Sequence, residues 1–240
     1  MMEQLIKIIK EAKRIVFFGG AGVSTESGIP DFRSATGVFQ NKKYQFSPEF
    51  IVSHDYFQMN PEGFYDFYYH EMVFPQAKPN AAHIGLAKLE EKGKLSAVIT
   101  QNIDGLHQKA GSKKVLELHG SIHRNYCERC HKFYTLDDIM KQKGVPHCTC
   151  KGIIKPDVVL YGEALNESVI METLKEIQKA DVLIIGGTSL NVYPAAGFIR
   201  YFQGKYLILM NKTETPMDDI ADIIIREPIG EVFEELMKHI

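Results

Sequence analysis

The apolar run Ile15-Val16-Phe17-Phe18 passes directly into Gly19-Gly20-Ala21-Gly22-Val23-Ser24-Thr25-Glu26-Ser27-Gly28-Ile29-Pro30-Asp31-Phe32-Arg33, and this stretch restricts the fold more tightly than any other. A strand-length apolar run that breaks into small residues is how a buried parallel strand hands over to a phosphate-cradling turn. Three glycines fall within four residues, where they allow close backbone approach and expose amide donors, while Ser24 and Thr25 offer hydroxyls and a helix cap. Gly20 and Gly22 satisfy the first part of the dinucleotide fingerprint, but its third position, residue 25, is Thr. Gly28-Ile29-Pro30 then stops any helix early, and Asp31-Phe32-Arg33 sets an acid, a ring and a base side by side. Taken alone, the segment is equally well a tight turn carrying a surface ion pair.

The rhythm of the chain extends the argument. An amphipathic helix on Leu5, Ile6, Ile8, Ile9 and Ala12 leads into strand 15–18. Residues 36–78, rich in aromatics and prolines and poor in alternation, read as a helical insertion. Helix 80–91, strand 96–100 and strand 115–118 follow, and residues 121–155 with all four cysteines interrupt the pattern. It resumes with strand 158–161, helix 167–180, strand 182–185, a helix opening around Pro194, strands 206–210 and 223–225, and a last helix 231–239. Strands alternating with helices specify an α/β fold: a doubly wound, parallel, Rossmann-like sheet with a smaller discontinuous domain made of a helical insertion and a zinc ribbon. The expected division is 1–33, 80–120 and 156–240 for the sheet domain, with 34–79 and 121–155 forming the small one.

Charge excludes some partners. Lys+Arg 28 against Asp+Glu 30 gives a formal charge of -2, so no global field draws the chain to nucleic acid or an anionic membrane, and neither is expected as a stable partner. The start of the chain threads charges through its apolar positions and lacks a signal-type core, and no apolar run reaches spanning length, so the expected location is cytoplasmic.

In a reducing compartment, clustered cysteines favour a metal over disulfides. Cys127-x-x-Cys130 and Cys148-x-Cys150, 17 residues apart, have the layout of a zinc ribbon whose four thiolates leave no open position, so the zinc would be structural. The second pair is one residue short of the usual spacing, and free thiols or a ligand exchange with His131 or His147 stay open. Basic residues near the ribbon are interleaved with Glu128, Asp137 and Asp138, which suits a solvated surface better than a phosphate track.

Five loops follow strands directly and gather at the edge where ligands bind: 20–33, 101–107, His119-Gly120, 186–189 and Asn211. Two are Gly-rich with Ser or Thr, as a diphosphate requires. Asn102 and Asp104 could hold a carboxamide or a water, or simply make a turn. His119, ending a strand on this edge, is placed as a general base. The missing third glycine and the absence of an acid at Asn211 count against a dehydrogenase.

From about residue 12 to Asn211 these motifs resemble the sirtuins, NAD-dependent protein lysine deacylases. The resemblance is carried by Gly20-Ala21-Gly22-Val23-Ser24, Gly28-Ile29-Pro30-Asp31-Phe32-Arg33, Thr100-Gln101-Asn102-Ile103-Asp104-Gly105-Leu106-His107, His119-Gly120, the cysteines, 155–163 and Gly187-Thr188-Ser189-Leu190. It implies that Gly20, Ala21, Gly22, Thr25, Asp31, Phe32 and Arg33 line the diphosphate and nicotinamide-ribose side of NAD. Gly187, Thr188, Ser189 and Asn211 would line the adenosine side, with Ile229 near adenine, and Gln101, Asn102, Ile103 and Asp104 would form the nicotinamide pocket. His119 would deprotonate a ribose hydroxyl, with Asn102 also catalytic, and Asp157, Val158 and Val159 would pair with the acyl-lysine peptide by β-addition. The implied products are nicotinamide, free lysine and O-acyl-ADP-ribose. Tyr68-Tyr69-His70-Glu71-Met72 contains tyrosines but lacks the Arg that succinyl- and malonyl-preferring members carry, so acetyl or other neutral acyl groups are expected. The rivals are a protein mono-ADP-ribosyltransferase sharing the NAD site and a non-catalytic zinc-containing dinucleotide sensor.

Overall fold

The computed structural model describes residues 1–31, 37 and 44–240. Strand β1 (Ile15–Gly19) is buried along its whole length, as a strand covered on both faces must be. It pairs in parallel with β2 (Leu95–Thr100) on one side and β7 (Val182–Gly186) on the other. With β3 (Val115–Glu117), β8 (Tyr206–Met210) and β9 (Ile223–Ile225), the order is β3-β2-β1-β7-β8-β9, all parallel. The chain therefore reverses its direction of winding at β1, which places the ligand crevice at the carboxyl ends of β1 and β7.

The period of two along β1 separates two cores. Ile15 and Phe17 pack with Leu5 and Ile9 of α1 (Met2–Glu11), Leu86 and Leu89 of α5 (Ala81–Glu91) and Phe233 of α9 (Ile229–Leu236). Val16 and Phe18 face the opposite layer, Ile177 of α8 (Glu167–Lys179) and Phe198 of the 3-10 turns Ala195–Tyr201. The helix expected to open around Pro194 is thus a 3-10 segment.

A third core joins the two insertions. Phe57 of α3 (His54–Met59) and Phe64 and Tyr65 of α4 (Pro61–Phe67) pack with Cys127, Ile139, Cys148 and Ile154. Phe57 and Phe64 meet edge to face at 5.0 Å, a favoured aromatic geometry. Beside this core a second sheet, order β5-β4-β6, is antiparallel: β4 (Gly120–Cys127) lies between β5 (Phe133–Thr135) and β6 (Ile154–Val158). The strand expected over 158–161 is displaced to 154–158. Its alternating residues Ile154, Pro156 and Val158 are buried, whereas beyond it the Leu160 and Tyr161 amides donate to the Glu163 side chain and to Val52 C=O. Among the described residues no helix is long and apolar enough to cross a membrane.

Candidate active site at the carboxyl edge of the parallel sheet

The loops that leave the parallel strands are bonded to one another. Gly20 N–H donates to Gly186 C=O (3.2 Å), Gly22 N–H to Gly187 C=O (2.8 Å), Gly187 N–H to Met210 C=O (3.1 Å) and Gln101 N–H to Gly19 C=O (2.9 Å). A Cβ on Gly22 would lie 2.8 Å from Gly187 Cα, and one on Gly20 would lie 2.8 Å from Thr188 Cβ. Gly187 itself has φ +58° and faces Val23 N. The absence of side chains at these glycines therefore lets the adjoining loop approach the first one closely. After Gly20 the chain makes two 3-10 turns, Ala21–Val23 and Thr25–Ser27, ended by Gly28 at φ +82°. Thr25 Oγ1 donates to Gly22 C=O at 3.0 Å, and Ala21 and Asp31 are half-buried. Phe32 and Arg33 lie outside the described residues.

Ser24, 1% exposed, is the hub of a side-chain hydrogen-bond network. Its hydroxyl donates to Asp104 Oδ2 (2.7 Å) and accepts from Asn102 Nδ2 (3.1 Å), with His83 Nε2 at 3.5 Å. Asp104 Oδ1 accepts from Leu106 N–H at 2.8 Å. Burial pushes the Asp104 carboxyl above its ordinary range, against the opposing pull of the Leu106 and Ser24 hydrogen bonds. The hub role of Ser24 and the presence of His83 were both missed in the sequence. Asn80-x-x-His83 does form a capping box at the start of α5, and that spacing was the available signal.

His119 lies in the turn between β3 and β4. Its Nδ1 is 3.0 Å from Gln101 C=O. A carbonyl only accepts, so the ring proton is on Nδ1 and Nε2 carries the free lone pair. Burial lowers the His119 pKa, and the Gln101 bond partly restores it. Thr188 Oγ1 donates to Gln101 Oε1 (3.4 Å), while Gln101 Nε2 is buried with no hydrogen-bond partner among the described residues. A buried orphan donor fits a ligand acceptor such as a carboxamide or ribose oxygen.

The remaining expected residues are placed less uniformly. Ile103 C=O accepts from Ile122 N–H, and its side chain packs on the core of the insertions. Ser189 is half-buried. Asn211 turns its amide onto Thr213 C=O (2.9 Å). Ile229, 6% exposed, lies in the sheet core, where a Cβ on Gly186 would come within 2.5 Å of its Cδ1. Val159 N–H donates to His119 C=O (3.0 Å), Val158 pairs with Gly120, and Asp157 pairs with Ser121 and is held by Arg124 (2.7 Å). The three residues expected to meet a peptide are thereby bonded to His119 or residues close to it, Asp157 and Val158 on an edge strand and Val159 just beyond its end.

All four cysteine sulfurs lie within 4.8 Å of one another, with Cys127–Cys150 at 3.4 Å and Cys130–Cys148 at 3.5 Å. A tetrahedral zinc with bonds of about 2.3 Å sets sulfurs roughly 3.8 Å apart, so this cluster could hold one zinc ion after a small expansion. The short Cys-x-Cys is accommodated by a turn in which Lys151 takes φ +67° and Gly152 passes Cys127 Sγ so closely that a Cβ would be 2.7 Å away. His147 Nδ1 is engaged by Val145 C=O instead. Arg129 N–H and the Tyr134 hydroxyl donate to Cys127 and Cys148 sulfurs, the outer hydrogen bonds that thiolate ligands require.

Three comparisons bear on this arrangement. The NAD-dependent protein deacetylase of Clostridium perfringens is 60% identical over 234 residues, which is 96% of each chain. A solved Sir2 variant with a deacetylated p53 peptide and 3′-O-acetyl ADP-ribose superposes with a TM-score of 0.91 at 42% identity, covering 99% of this chain and 97% of the other. A Sir2 complex with a p53 peptide and NAD gives 0.87 at 42% identity, over 99% and 98%. Since a model of the Sir2 family also matches residues 20–194, most of the chain, the protein belongs to the Sir2 family.

Proposed function

We propose that the protein is an NAD-dependent protein lysine deacetylase that removes acetyl and other neutral acyl groups and releases nicotinamide, lysine and O-acyl-ADP-ribose. The observation that carries this is His119: Gln101 C=O holds the proton on Nδ1, which leaves Nε2 as an unprotonated base. NAD, the co-substrate, supplies the electrophilic ribose carbon and the acceptor hydroxyl. Gly20, Ala21, Gly22, Thr25, Asp31, Phe32 and Arg33 bind it on the diphosphate and ribose side, and Gly187, Thr188, Ser189, Asn211 and Ile229 on the adenosine side. Gln101, Asn102, Ile103 and Asp104 receive the carboxamide. Asn102 and Asp104 are oriented by Ser24, so the polar wall of the pocket is fixed before NAD arrives. As the acyl oxygen displaces nicotinamide from the ribose carbon, His119 Nε2 takes the proton of the ribose hydroxyl whose oxygen adds to the acyl carbon, and one water then takes the place of the lysine nitrogen on that carbon, so that lysine leaves.

The acyl-lysine peptide adds to the edge formed by Asp157, Val158 and Val159, and Cys127, Cys130, Cys148 and Cys150 hold the zinc that fixes this sheet. The sheet domain and the small domain keep the division given above, with the substrates meeting between them, in a cytoplasmic enzyme. The test is mass spectrometry of an acetyl-lysine peptide incubated with and without NAD. Loss of the acetyl mass together with O-acetyl-ADP-ribose is expected. NAD-labelled protein with the acetyl mass retained would favour the ADP-ribosyltransferase.

A further inference from the structure

One carboxylate, Glu163, gathers the polar groups around Val158, which was assigned above to the peptide, and around Leu160 and Tyr161, which follow that segment. Glu163 Oε2 accepts from Leu160 N–H at 2.9 Å and from Lys155 Nζ at 3.1 Å, and its Oε1 accepts from His54 Nδ1 at 3.0 Å. Lys155 also donates to Val158 C=O at 3.0 Å. Both ends of this pair are largely buried, with side-chain exposures of 17% for Lys155 and 22% for Glu163. His54 belongs to the helical insertion, and its own N–H donates to Tyr161 C=O at 2.9 Å, while Tyr161 N–H donates to Val52 C=O at 3.0 Å. Glu163 N–H closes a turn onto Leu160 C=O at 2.9 Å.

Residues 158, 160 and 161 are therefore each fixed through a backbone group, and Glu163 joins three of the tethers. Burial works against charge on Glu163, but Leu160 N–H, His54 and Lys155 outweigh it and hold the carboxyl below its ordinary range. The strand that these tethers extend, β6, has a paired neighbour in its sheet only on the β4 side. An edge whose course is set in advance spares an incoming peptide the cost of ordering it.

We propose that Glu163, with Lys155, is a positioning residue that presets the 158–161 segment for the acyl-lysine peptide, so that its loss weakens the peptide and not NAD. The inference rests on the deacetylase assignment. None of its tethers touches Ser24, Asn102, Asp104 or the Gly22–Gly187 contact, which is why the effect is confined to one substrate.

Steady-state kinetics with an acetyl-lysine peptide and NAD test it on the zinc-loaded wild type, Glu163→Ala, Glu163→Gln and Lys155→Met. In Glu163→Ala the peptide KM rises roughly tenfold, while the NAD KM and kcat at saturating peptide stay within about twofold. Glu163→Gln, which keeps an acceptor for Leu160 N–H, falls between it and the wild type. An unchanged peptide KM, or equal rises in both KM values, overturns the proposal. Should Glu163→Ala fail to fold, Glu163→Gln and Lys155→Met decide by the same split. A wild-type protein that turns over the peptide while Glu163→Ala keeps its KM removes the positioning role alone, whereas an inactive wild type removes the deacetylase assignment and the positioning role together.

Discussion

Gly120 joins the proposed base to the proposed peptide strand, and replacing it with alanine separates two kinds of cost. Its φ is +76°, and an added Cβ would lie 1.9 Å from Asp157 C=O, a backbone atom that cannot rotate away. Gly93, at the turn between α5 and β2, has φ +71° and nothing within 4 Å of the same added atom. Gly93→Ala therefore meets only the left-handed backbone term, about 1–2 kcal/mol, or roughly 2–8 °C in Tm for a chain of this size. Gly120→Ala meets that term and must also push the Asp157 carbonyl back by about 1 Å or more to reach ordinary contact. This displaces the pairing of Gly120 with Val158 and of Ser121 with Asp157. Two backbone hydrogen bonds at about 1 kcal/mol each bring the total to roughly 3–4 kcal/mol, or about 6–16 °C. Thermal unfolding of both variants, followed by circular dichroism, measures the difference, and deacetylation kinetics read the peptide KM, which rises only in Gly120→Ala. Equal Tm losses in the two variants, with the peptide KM unmoved, would refute the steric reasoning.

Three further outcomes follow from the site. His119 acts as a base only when neutral, and burial lowers its pKa, so kcat/KM falls on acidification with a midpoint below the ordinary histidine value of about 6.5; a pH–rate profile checks this, and His119→Asn removes the activity. His83 and His107 are buried against each other with ring centroids 4.7 Å apart, and burial lowers them to about 4 and about 3. Because the unfolded chain takes up these protons first, stability is full above pH ~6.5 and declines by a few kcal/mol toward pH ~4. His107 has neither ring nitrogen hydrogen-bonded among the described residues, so His107→Leu flattens that decline in urea titrations run across the range. Finally, elemental analysis returns one zinc per chain, and Cys148→Ser lowers it while abolishing peptide turnover, since the sulfurs tie together β4 and the loop that leads to β6.

The parallel sheet was legible because strands buried on both faces are nearly unbroken apolar runs, as in Ile15–Gly19 and Val182–Gly186. The small sheet was not. β4 carries Ser121, His123, Arg124 and Asn125, and β6 carries Lys155, Pro156 and Asp157, sequences that read as loop until a partner strand and a shared aromatic core are supplied. The site divides in the same way. His119 was singled out by its position after a strand, and Asp104 by its pairing with Asn102 in the loop that follows β2. Ser24 and His83 are 59 residues apart, and only the packing of α5 beneath the first loop brings them together. The glycines were found for an incomplete reason: the sequence shows that the backbone must come close to something, and at Gly22 that something is another loop.

The pairing of β1 with β7 has a consequence for how the chain is made. Ile15 lies beside Val182, 167 residues later (182 − 15). At about 5–20 residues per second, that neighbour leaves the ribosome roughly 10–30 s after β1. Through that interval one edge of an entirely apolar strand has no partner from its own sheet, and such an edge is a template for association with other chains. The aromatic core of the insertions and the zinc cysteines all emerge within this window. Early metal capture would let them compact first and shorten the effective loop that β7 must close, so zinc supply during synthesis would govern the yield of folded protein as well as its final stability.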